Sequence, residues 1–167
     1  GPDEGNEFDI LDLQEISNGI GTGLEKAGID KLDLIGFDAC LMGTFEVALA
    51  MAEHADVMVA SQELEPGHGW DWQALEILAS DSSIEAQSLG LAIANSYEQH
   101  AVDNGTETEI TLSVLDLTLV SKVNEALRAL EIPLVTESDS LAKKLGSAQS
   151  TSLRLGKNPD PSIDAQM

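Results

Sequence analysis

Cysteine occurs once in this 167-residue chain, histidine three times, and Lys plus Arg only eight times. A lone thiol excludes a disulfide within the chain, and it leaves the redox compartment unread. Eight basic residues stand against 30 acidic ones, a formal net charge of -22. A surface that acidic repels nucleic acid phosphates and anionic membranes, and suits cationic partners, metal ions or a salty environment. No apolar run approaches the ~20 residues of a membrane span. Internal repeats and low-complexity tracts are absent, and nothing at the start resembles a signal peptide.

The chain also begins without Met, in the loop-like run Gly1-Pro2-Asp3-Glu4-Gly5-Asn6-Glu7. We read residues 1–8 as a loop cut from a longer chain, with Gly1-Pro2 as an alternative cloning remnant. Residues 149–167 read as an irregular C-terminal segment. Over the whole chain, 43% hydrophobic residues are enough for one globular domain with a real core.

Taken in order, residues 9 to 28 carry Ile10, Leu13, Ile16, Ile20 and Leu24 at helical spacing. Asp12 with Glu15 forms a capping-box pattern, and Gly28 a stop. Residues 32–37 are nearly all apolar and predict a strand buried on both faces. Residues 43–55 predict a buried helix and 56–61 a second strand. Strand, helix and strand in that span make a βαβ unit with parallel strands. The loop Gln62–Trp72 leaves the carboxyl end of the second strand, its two Trp and two Glu lining a pocket or packing the loop down. For Trp72 packing is the preferred reading. Helices follow near 71–80 and 83–101, then a polar turn at 103–109 that misses calcium-loop spacing. A third strand is expected at 110–116. A helix begins near Thr118 and is interrupted at Pro133, and another runs from 138 to 148. These elements predict an α/β fold, an unfinished and mostly parallel sheet flanked by helices, with the second strand still lacking a neighbour.

Cys40 follows the first strand directly, in Leu34-Ile35-Gly36-Phe37-Asp38-Ala39-Cys40-Leu41-Met42-Gly43. The carboxyl end of a strand is where an open α/β sheet places its chemistry. A buried, inert thiol is the plain alternative. Asp38 lies two residues before Cys40, on the same side of an extended chain.

That block, together with Glu46-Val47-Ala48, Val59-Ala60-Ser61-Gln62-Glu63, Glu65-Pro66-Gly67 and Gly69-Trp70, resembles the clostripain-like cysteine peptidases, relatives of the caspases, gingipains and legumains. Leu112–Leu117 continues the resemblance more weakly. It implies a caspase–hemoglobinase fold, partial over residues 9–148, with Cys40 as nucleophile and its N–H in an oxyanion hole. It implies further that Asp38 lies in a pocket for Arg or Lys before the scissile bond, and peptide or protein substrates of that kind. Glu63 and Glu65 would add negative potential to substrate binding. The chemistry needs no cofactor and no metal site, although some relatives use calcium. An extracellular or cell-envelope location in a bacterium follows from the family alone.

One departure stands out. The family's general base is a His-Gly upstream of the cysteine, whereas His54, His68 and His100 all lie downstream. The expected base therefore lies before residue 1, on an upstream segment of the same protein. His68, in the Gly67-His68-Gly69 loop, is a possible but less favoured base, because reach from a loop is easier than catalytic geometry. His54 and His100 read as helix caps. A competing function is a non-catalytic α/β domain of the same fold that binds basic peptides or cations. A calcium-dependent structural domain rests on charge alone.

Overall fold

A computed structural model of the protein describes residues 4–7, 10–151, 154–155 and 165–166. Helix α1 spans Leu13–Ala27 and bears out its sequence signals. Asp12 and Glu15 exchange both capping-box hydrogen bonds, and Gly28 closes the helix at φ 67. Strand β1 (Leu32–Phe37) leads through a turn to α2 (Phe45–Met51), which starts on Thr44 and returns the chain to β2 (Ala55–Ala60). A 3-10 turn at Trp72–Leu75 and a short α3 (Glu76–Ser80) precede the long α4 (Ala86–Asn104). Strand β3 (Ser113–Asp116), a second 3-10 turn, α5 (Val120–Thr136) and α6 (Ser138–Thr151) follow.

The sheet has the order β1-β2-β3. β1 and β2 are parallel, with Leu34 opposite Val57 and Phe37 opposite Ala60, as the βαβ reading requires. β3 differs: it runs antiparallel, Ser113 opposite Ala60 and Asp116 opposite Val57. The cause is the even number of traverses between β2 and β3. The chain leaves the carboxyl end of β2, descends through α3, and α4 brings it back to the end it left. Among the described residues β2 is thus the central strand, and β1, expected to be buried on both faces, lies at the edge and is only half-buried.

Alternation along β2 builds two cores, since successive side chains face opposite sides of a sheet. Met58 and Ala60 face α1, α2 and α5, meeting Val47, Met51 and Val120. Val59 faces α4, meeting Leu89, Ile93, Tyr97 and Trp70. Met51, Met58, Val59 and Tyr97 are wholly buried. Each such aliphatic side chain contributes about 1.5 to 3 kcal/mol from burial.

α5 continues through Pro133 instead of ending there, with the Glu137 N–H donating to the Pro133 carbonyl at 2.9 Å. A proline deletes its own hydrogen bond but leaves its neighbours free to make theirs. The expectations for residues 1–8 and 149–167 fall largely outside the described residues. Within them, residues 4–7 form a turn, α6 extends to Thr151, and Arg154–Leu155 (β4) pairs antiparallel with Ala165–Gln166 (β5).

Candidate active site

The site is assembled where the turn after β1 meets the loop after β2. Two backbone bonds join them: the Leu41 N–H donates to the Glu63 carbonyl at 3.1 Å, and the Gly43 N–H to the Ser61 carbonyl at 2.6 Å. The approach is so close that a Cβ on Gly43 would sit 2.8 Å from the Ser61 carbonyl carbon and 2.9 Å from the Gln62 nitrogen. Glycine is needed there for space, not for an unusual turn angle. Leu41 carries the unusual angle instead, at φ 64, a left-handed conformation that costs a non-glycine residue about 1 to 2 kcal/mol. Ser61, wholly buried, anchors the loop start: its hydroxyl bonds the Glu63 main chain and Thr111 Oγ1 at 2.9 Å.

Beyond Ser61 the loop folds back over the end of β1. The Glu65 N–H donates to Cys40 Sγ at 3.2 Å, and the thiol itself is exposed. The Trp70 N–H points between the Asp38 oxygens, 3.2 Å from each. The Trp70 indole N–H reaches Glu65 Oε1, also at 3.2 Å, while its ring lies buried across Gly36 of β1. Gly69 turns the loop at φ 67, and a Cβ there would stand 2.9 Å from Asp38 Oδ2. Asp38, Cys40 and Glu65 are therefore brought together by one loop, although 25 residues separate Cys40 from Glu65.

Glu65 has an altered acidity. Burial pushes its carboxyl up from 4.5 to about 7; the Trp70 hydrogen bond opposes this, and the neighbouring Asp38 adds to it. Tyr97, on α4, is pushed up to about 12, first by burial and then by the negative charges of Glu65, Asp38 and Cys40. Sequence patterning put Tyr97 on the apolar face of its helix, and its placement beneath the acidic pair carries no local signal. Glu63 enters through its main chain, which bonds Leu41 and Ser61.

The histidines lie elsewhere. His68 Nδ1 is 2.7 Å from the Gly69 carbonyl, and its Nε2 is 2.9 Å from Thr106 Oγ1. A carbonyl only accepts, so Nδ1 carries the proton and both ring nitrogens are engaged away from Cys40. His100 caps no helix end; it sits within α4 and meets the His68 ring edge-on at 4.7 Å. His54 follows α2 and bonds Ser17 of α1 at 2.8 Å, joining two helices. Trp70 packs the loop down, whereas Trp72, expected to do so, is 55% exposed.

No group of three or more His, Cys, Asp or Glu among the described residues is placed to hold a metal ion. The polar run 103–109 is the end of α4, its Gly105 cap and a turn closed by Glu109 on Thr106. No described helix is long and apolar enough to cross a membrane.

Among solved structures, a cysteine protease of B. fragilis superposes with a TM-score of 0.56 at 21% identity, over 73% of this chain and 49% of that one. A clostripain from Bacteroides thetaiotaomicron, in complex with the peptide inhibitor BTN-VLTK-AOMK, gives 0.55 at 18%, over 98% of this chain and 57% of that one. A secreted C11 cysteine protease of the same organism, bound to an irreversible peptide inhibitor, gives 0.60 at 22%, over 77% and 36%. These likenesses establish the fold, and the chain spans about half the length of the first two proteases. Among curated proteins none matches. The Clostripain family model matches residues 1–157, and with the thiol, the carboxylates and the sheet arranged as above, the chain belongs to the clostripain family of cysteine proteases.

Proposed function

We propose that Cys40 is the nucleophile of an endopeptidase that cleaves peptide bonds after Arg or Lys. The observation that carries this reading is an exposed thiol at the carboxyl end of β1, held by the Glu65 N–H with Asp38 under the same loop. A base takes the thiol proton and the thiolate attacks the carbonyl; the C–N bond breaks, the amine leaves with the proton returned by the base, and water hydrolyses the resulting acyl-enzyme to the acid and free thiol. Cys40 N–H has no acceptor among the described residues, and is suited to the oxyanion. The family resemblance puts the general base on an upstream histidine, a reading supported by the engagement of His54, His68 and His100 with other partners. The VLTK inhibitor of the Bacteroides thetaiotaomicron clostripain ends its peptide in lysine, the kind of side chain that Asp38 would hold.

The test is to treat the full-length protein with a peptidyl ketone carrying Lys or Arg and to locate the adduct by mass spectrometry. The adduct is expected on Cys40 and is lost in Cys40→Ser. No adduct on Cys40 sinks the nucleophile assignment, and tight binding of the basic peptide without an adduct favours a binding domain instead. Asp38→Ala is expected to lower the preference for a basic over a neutral side chain on the order of 10- to 100-fold in kcat/KM, the worth of a hydrogen bond to a charged group.

A further inference from the structure

Two buried side-chain oxygens lack a hydrogen-bond partner among the described residues, Glu65 Oε2 and Tyr97 Oη. They belong to one cluster. Asp38 is within hydrogen-bonding and charge range of Glu65, and Tyr97 feels the charges of Glu65, Asp38 and Cys40. Two ionised carboxylates offer each other only lone pairs, so the Asp38 carboxylate gives the buried Oε2 no donor. One proton on Oε2 cures both faults, supplying a donor to Asp38 and removing one of two adjacent charges. The groups set against Glu65 carry no positive charge: Asp38 and Cys40 come from the end of β1, Trp70 from its own loop, and Tyr97 from α4. Both His68 nitrogens are occupied.

We infer that Glu65 and Asp38 share one proton before substrate binds, and that a Lys or Arg side chain entering beside Cys40 sends that proton to solvent and takes its place. The inference rests on the basic specificity proposed above and adds a mechanism to it. An ammonium has three N–H donors and a guanidinium five, enough to reach Asp38 and the stranded Oε2 together. The only bond broken is the Glu65 O–H, whose proton leaves to buffer. The raised pKa of Glu65, about 7, puts the exchange in a physiological range.

The test is calorimetric titration of the full-length protein with N-acetyl-arginine amide and, as a neutral counterpart, N-acetyl-norleucine amide. Buffers of different ionisation heat count the protons. At about pH 6, close to one proton is released per arginine bound, and at about pH 8.5 almost none. Arginine binds about tenfold more weakly at the lower pH, and norleucine releases no proton. In Glu65→Gln the release disappears and arginine affinity becomes flat with pH. Difference infrared spectra of the wild-type protein, expected to lose a protonated-carboxyl band on arginine binding, decide the matter if that variant does not fold. Arginine binding without proton release overturns the exchange and leaves the basic site standing, as does release that persists in Glu65→Gln. Arginine binding no better than norleucine at either pH overturns the basic site, and the exchange with it.

Discussion

Tyr97 is fully buried, yet its hydroxyl has no partner among the described residues. A buried hydroxyl without a hydrogen bond gives up its water contacts for nothing in return, so its removal relieves a cost. Tyr97→Phe is therefore expected to keep or raise stability by up to about 1 kcal/mol in urea denaturation. A loss above ~1 kcal/mol would show that the hydroxyl is satisfied after all. Gly69 is the opposite kind of residue. It sits at φ 67, with the space of a methyl group already taken by Asp38 Oδ2. Gly69→Ala is expected to cost about 1 to 3 kcal/mol and to push Asp38 out of place, read as a fall in preference for basic peptides. Asp38 and Cys40 could be read as part of one turn at the end of β1 because they are two residues apart in the chain. Gly69 and Glu65 could be named from the sequence, but their contacts with those residues could not.

At the scale of elements, the joint between the β1 turn and the β2 loop holds the thiol in place. Gly43→Ala would drive a Cβ into the Ser61–Gln62 backbone, which has no flexible end to yield. A loss of about 1 to 3 kcal/mol is expected, together with reduced ketone labelling of Cys40, measured on the same preparation. Pro133 offers a contrast. It lies inside α5, where a proline removes a hydrogen bond and crowds the preceding turn. Pro133→Ala is expected to raise helical circular dichroism, and to raise the unfolding free energy measured in urea by up to about 3 kcal/mol. The apolar run of β1 was readable as a strand, but its place at the sheet edge was not. Edge or centre is decided by which strand pairs with it, and that information lies outside the strand.

For the whole molecule, Glu65 links the site to stability. Its folded pKa is raised from 4.5 to about 7, so between those values the folded protein binds more proton than the unfolded chain. Its contribution to stability is fully present below about pH 4.5 and is lost as pH rises through about 7. The wild-type protein is expected to lose stability relative to Glu65→Gln between about pH 5 and 8, read as converging or crossing urea midpoints. Parallel curves would show that Glu65 is ordinary in the folded state.

The sequence by itself determined the helix caps, the βαβ unit, the thiol at a strand end, and the family resemblance. Each is written in residues close together, where periodicity, turn chemistry and motif spacing act locally. Only the tertiary structure decided the antiparallel third strand, the edge position of β1 and the meeting of Glu65, Asp38 and Tyr97. Those depend on how many times the chain crosses the sheet and on which side α4 packs, and such counts are settled by burial of the whole core, not by any one stretch of chain.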